Sequence, residues 1–79
     1  RDKTYVNVFN VIEKNEDIYK FGAKIILNDE IIFQNILTVK YDKNEEMVYL
    51  NLMKINGLIR DKSIRAYFIN NLKSFIKSY

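Results

Sequence analysis

Apolar positions recur at two different spacings along this 79-residue chain, and the change falls near Lys54. Before it, apolar and polar residues alternate. Thr4 to Ile12 is β-branched and aromatic and predicts a first strand. Lys14-Asn15-Glu16-Asp17 is polar and turn-prone. From Ile18 to Leu27, one face carries Tyr19, Phe21, Ala23, Ile25 and Leu27 and the other Lys20, Gly22 and Lys24, the alternation of a second strand. Asn28-Asp29 suits a tight hairpin because both residues tolerate positive φ. Glu30 to Tyr41 predicts a third strand, Asp42 to Glu45 a turn, and Met47 to Met53 a fourth strand. Beyond Gly57 the spacing becomes helical. Ile64, Phe68, Leu72, Phe75, Ile76 and Tyr79 fall on one stripe, with Arg65, Asn70, Lys73, Ser74 and Lys77 mainly away from it. Asp61 or Ser63 is the expected N-cap. The expected fold class is α+β: a four-stranded antiparallel β-meander followed by one C-terminal amphipathic helix, in a single domain over residues 1–79.

Register carries a second expectation. Counted outward from an Asn28-Asp29 loop, Leu27 opposes Glu30, Ile25 opposes Ile32 and Phe21 opposes Ile36 on one face. The other face pairs Ile26 with Ile31, Lys24 with Phe33, Lys20 with Leu37 and Ile18 with Val39. Both faces are then partly apolar, and one helix covers only one of them. The remainder is expected to meet a second copy of the chain, unless the stems of Lys20 and Lys24 cover it.

Composition narrows the chemistry. A chain this short buries only about 60–65% of its unfolded surface. Cysteine and histidine are both absent, so no disulfide, thiolate or imidazole is available for stabilisation, metal binding, general-base or nucleophilic work. Oligomerisation is the remaining means of adding stability. The acids sit at turns or strand ends, as Glu16-Asp17, Asp29-Glu30, Asp42 and Glu45-Glu46, where turn composition accounts for them. No catalytic residue, metal ligand or cofactor is expected. The two glycines cannot form a phosphate-cradling loop. Gly22 predicts a bulge or a close backbone approach, and Gly57 the connection from sheet to helix. No apolar run is long enough to span a membrane, and Arg1-Asp2-Lys3-Thr4 lacks the hydrophobic stretch of a signal peptide, so a cytoplasmic address is expected.

Charge changes together with period. Residues 1–53 carry seven basic groups against nine acids, whereas residues 54–79 carry Lys54, Arg60, Lys62, Arg65, Lys73 and Lys77 against Asp61 alone. Lys54, Arg60, Lys62 and Arg65 cluster in the connection and first helical turn. There they suit an anionic partner, with the helix N-terminus adding free N–H groups. Tyr5, Tyr19, Phe33, Tyr41 and Tyr49 have the chemistry to stack on bases, but aromatic residues in strands of a small protein more often serve core or interface.

The stretch Ala23-Lys24-Ile25-Ile26-Leu27-Asn28-Asp29-Glu30-Ile31-Ile32-Phe33-Gln34-Asn35-Ile36 resembles the strand, Leu-Asp turn and Phe-Val-Val strand of the SpoVG family, small bacterial proteins named for sporulation and septation. Val6-Asn7-Val8 resembles that family's first strand, and Met47-Val48-Tyr49-Leu50 its Phe-Val-Ala-Met strand. Gly57-Leu58-Ile59-Arg60-Asp61 resembles its Gly-x-Phe-Arg-Asp. The likeness covers roughly residues 5–75. Leu50-Asn51-Leu52 stands where the family has Met-Pro-Ser, and only Lys54 answers its Lys-Arg pair. The His-Pro after Arg-Asp is missing, and the connection to the helix is shorter. The resemblance implies a homodimeric regulator that binds DNA or RNA, with Lys54 and Arg60 at matching basic positions. Lys62 and Arg65 join them from local charge. The expected function is therefore non-enzymatic binding of nucleic acid through phosphates. The alternative is a protein-interaction module, an adaptor or inhibitor docking its basic face or sheet edge on an acidic partner.

Overall fold

Turn residues that accept positive φ divide the alternating half of the chain into four antiparallel strands. The computed structural model describes residues 4–79, in which β1 (Tyr5–Asn15), β2 (Ile18–Leu27), β3 (Glu30–Asp42) and β4 (Met47–Tyr49) pair in chain order. Asn28 and Asp29 both hold positive φ, at 50° and 70°, as the tight β2–β3 hairpin requires. The Asn28 N–H donates to the Thr4 carbonyl at 3.1 Å, which ties the start of β1 to that hairpin. The molecule is 42 Å long, close to the roughly 43 Å that a thirteen-residue strand such as β3 spans.

The β2–β3 register departs from simple counting. Leu27 opposes Glu30 and Ile26 opposes Ile31 as expected, but Ile25 opposes Phe33, leaving Ile32 as an extra, bulged residue. From there on every pair is shifted by one. Phe21 faces Leu37 instead of Ile36, Lys24 faces Gln34 instead of Phe33, Lys20 faces Thr38 instead of Leu37, and Ile18 faces Lys40 instead of Val39. The bulge disrupts the ladder locally, at a cost of about 1 kcal/mol for a net hydrogen bond. In return Phe33, Leu37, Val39 and Tyr41 join Tyr19, Phe21, Ala23 and Ile25 on one face, and each large side chain buried contributes about 1.5–3 kcal/mol. Burial outweighs the bulge. The opposite face is consequently more polar than a strict count implies. It carries Lys20, Lys24, Gln34, Thr38 and Lys40, with Val6, Val8, Ile18, Ile31 and Ile36 exposed around them.

Gly22 marks neither a bulge nor a close approach. It pairs with Asn10 and Ile36, and a Cβ there would meet nothing within 4 Å. It lines a shallow hollow of about 710 Å³ on the uncovered face, with Val8, Asn10, Lys24, Gln34 and Ile36.

Two helices follow where one was expected. β4 stops at Tyr49, and Leu52 and Met53 belong to α1 (Leu52–Leu58) rather than to a longer fourth strand. The Asn51 side chain accepts the Lys54 N–H at 3.1 Å and so starts the helix. Helical spacing then sends Ile55 into the core and leaves Met53 outside, 87% exposed. Gly57 lies inside α1, between the sheet and α2, and without positive φ. Asp61 caps α2 (Lys62–Ser78), its carboxylate accepting the N–H groups of Ser63 and Ile64 at 2.9 and 3.0 Å.

α2 runs parallel to β1. Tyr67 sits over Tyr5 (6.2 Å between rings), Asn71 Oδ1 accepts from Asn7 Nδ2 at 2.8 Å, and Phe75 sits over Phe9 at 5.1 Å. Four helical residues rise about 6 Å and two strand residues about 6.7 Å, so the two elements stay in step. Phe68, Leu72 and Ile76 form the inner row. Phe68 touches Phe9 and Phe33 (5.5 and 5.6 Å) and is wholly buried.

Phe68→Ala is expected to cost about 3–5 kcal/mol, comparable with the entire stability of a domain this small, and to abolish the cooperative urea transition followed by circular dichroism. Ile36→Ala, on the uncovered face, is expected to stay within about 0.5 kcal/mol of the native protein in the same titration.

Candidate nucleic-acid interface

The second half of the chain forms a helical layer over one sheet face, and its cations are placed by two caps and a corner. Lys54 projects from the first turn of α1, beside Thr38 and Val39 of β3, and is exposed. The α1 backbone carries the chain away from it, with the Ile59 N–H closing on the Ile55 carbonyl at 2.8 Å. Arg60 and Asp61 then lie against Ile32 and Phe33, at the β2–β3 hairpin end of the sheet. Lys54 therefore stands at the first turn of α1 and Arg60 beyond its far end, about 6 Å of helix and two further residues away. Arg60, Lys62 and Arg65 are the residues that the corner brings together.

Arg65 differs from the others. Its Nη1 donates to the Ile59 carbonyl at 2.8 Å and to the Arg60 carbonyl at 3.4 Å, and the residue is half-buried. The guanidinium closes the corner between the two helices, so part of its hydrogen-bonding capacity is already engaged. Two of the first-turn N–H groups of α2 expected to be free for a phosphate, those of Ser63 and Ile64, are likewise occupied by Asp61.

The four cations singled out by local clustering omit two others with a clear place. Lys73 and Lys77 are eleven and fifteen residues beyond Lys62, within about 60° of it around α2, and all three are exposed. They form one outer stripe of a helix that contains no acid. The signal was present in the spacing of the lysines after Asp61. Among the described residues the ion pair observed is Lys40 with Asp17, at 3.9 Å near the opposite end of the sheet. Among the described residues, none of Lys54, Arg60, Lys62, Lys73 or Lys77 takes part in one.

The aromatic residues do not offer a stacking platform. Tyr19 and Tyr41 are buried, and Tyr5 and Phe33 are half-buried beneath α2. Tyr49 is exposed and donates its hydroxyl to Glu45 Oε1 at 3.1 Å. That bond, with the Glu45 charge, raises the phenol above its ordinary 10.0. The interaction is intact below that ordinary value and is lost as pH rises through the raised one. Among the described residues no group of three or more acids, histidines or cysteines could hold a metal ion, and no helix is long and apolar enough to cross a membrane. No family model, curated protein or solved structure matches the chain.

Arg65→Met is expected to lower stability by about 1–2 kcal/mol in urea unfolding, because the Ile59 and Arg60 carbonyls lose their donor. Lys62→Gln breaks no hydrogen bond and is expected to change stability by less than about 0.5 kcal/mol.

Proposed function

We propose that this chain is a non-enzymatic, homodimeric regulator similar to the SpoVG family, acting in the cytoplasm and binding DNA or RNA mainly through phosphate contacts. The observation that carries the reading is the availability of its cations. Lys54, Arg60, Lys62, Lys73 and Lys77 are exposed on the helical layer and form no ion pair among the described residues, while the carboxylate of Asp61 is engaged by backbone N–H groups. Lys62 also sits in the first turn of α2, where the helix dipole opposes positive charge. Local stability gives no reason for a lysine there, and an anionic partner does.

Phosphate contacts position a protein without reading sequence, so binding of this kind discriminates weakly between base sequences. The reading assigns no catalytic residue to this layer. The resemblance at Gly57-Leu58-Ile59-Arg60-Asp61 supports the same surface, since its matching basic residue, Arg60, lies at the corner between the helices.

A mobility-shift titration with single-stranded DNA, duplex DNA and RNA at several salt concentrations tests the reading. With about four phosphates neutralised, log K is expected to fall against log salt with a slope of about −3 to −4, and Lys54→Gln with Arg60→Gln to flatten it by about 2. Binding indifferent to salt overturns the mechanism. So does a pull-down in which nuclease treatment leaves an acidic protein partner bound and nucleic acid shows no affinity.

A further inference from the structure

The sheet has two edges, and they are treated differently. On the outer side of β3, β4 pairs only Lys40 to Asp42. The rest of that edge is guarded. Asn35 Oδ1 accepts the outward Ile36 N–H at 2.7 Å, Ile32 bulges, and the segment Leu50–Ile55 packs beside Leu37 to Val39. On the other side of the sheet, β1 is the terminal strand over all eleven of its residues. From Thr4 to Ile12 it contains no charge and no proline, the usual devices that keep an edge from pairing.

The backbone of β1 fixes which groups that edge offers. The Thr4 carbonyl accepts from Asn28, so Thr4 turns its polar groups toward β2, and Val6, Val8 and Asn10 do the same at two-residue intervals. Tyr5, Asn7, Phe9 and Val11 therefore turn theirs outward. Beyond Val11 the bulge at Ile12 ends the regular pattern.

We infer that β1 pairs antiparallel with β1 of a second copy about a two-fold axis at Val8, joining the two sheets into one of eight strands. That register is the one in which every outward residue of the regular run finds an outward partner. Tyr5 meets the partner's Val11 and Asn7 the partner's Phe9, giving about eight interchain hydrogen bonds, two for each of four residue pairs. Val8 faces the partner's Val8 and Val6 the partner's Asn10, in non-hydrogen-bonded pairs on the uncovered face. No like charges oppose one another anywhere in the run. The helical layers then lie side by side on one face, since α2 tracks β1 through Tyr67, Asn71 and Phe75. The inference deepens the dimeric part of the proposed function and does not depend on nucleic-acid binding.

Because the chain has no cysteine, single substitutions report cleanly on this axis. Cα atoms of a non-hydrogen-bonded antiparallel pair lie about 4.5 Å apart, within disulfide range, whereas copies of Val6, offset by four residues, lie about 13 Å apart. Val8 is 41% exposed, so the substitution leaves the core intact. Sedimentation of the native protein without nucleic acid is expected to return a two-chain mass. Val8→Cys is expected to form an interchain disulfide under mild oxidation. Val6→Cys and Asn10→Cys are expected to form one when mixed and not when oxidised separately. A single-chain mass at micromolar concentration overturns the inference, as does a two-chain mass with no disulfide at position 8. These readouts contain no nucleic acid, so their failure leaves salt-dependent binding standing, and loss of binding leaves the dimer standing.

Discussion

One extra residue in β3 governs how this chain folds. A strand alternates its side chains with a period of two, so a single-residue slip exchanges the entire core face for the solvent face. The bulge at Ile32 makes that exchange where it is needed. On the hairpin side of it, Ile26 still faces Ile31; beyond it, Phe33, Leu37, Val39 and Tyr41 point the same way as Ile25, Ala23, Phe21 and Tyr19. Without the bulge, large apolar residues would be divided between two faces, and a chain with one long helix would have no means of covering both.

With one apolar face assembled, the rest of the architecture follows from covering it. α2 lies along β1 and sends Phe68, Leu72 and Ile76 over the sheet, while α1 turns Ile55 inward at the β3 side. Their outer surfaces carry the cations, with Leu52, Met53 and Tyr67 exposed beside them. The corner between the helices is held by Asp61 from one side and Arg65 from the other, so one acid and one base of the charged stretch serve structure. Among the described residues, none of the other cations on this layer forms an ion pair. The opposite sheet face and the β1 edge are surfaces separate from this positive layer.

Much of this is legible from residues alone, and the misses have physical causes. The four strands, the Asn28-Asp29 hairpin, the Asp61 cap and the α2 stripe each carry a local signal in period or turn chemistry. The bulge carries none, because alternation before and after Ile32 looks equally regular and only long-range packing prefers one phase. α1 is about two turns long, too short for helical period to stand out, and its residues read equally well as the end of a strand. The cap at Asn51 was its one local sign. Arg65 reads as a free surface cation because the carbonyls that engage it belong to the corner, which does not exist until α1 does. Lys73 and Lys77 are visible in the spacing, but clustering along the chain drew attention to the corner instead.

The central claim is that the helical layer, rather than the sheet face, meets the anionic partner. The most direct measurement is a titration of the isotopically labelled protein with a short oligonucleotide, followed residue by residue by nuclear magnetic resonance. The account expects amide shifts concentrated at Lys54, from Arg60 to Lys62, and around Lys73 and Lys77, with the Asp42–Glu46 turn silent. Shifts confined to Lys24, Gln34 and Ile36 on the uncovered face, or none at any position, would contradict it.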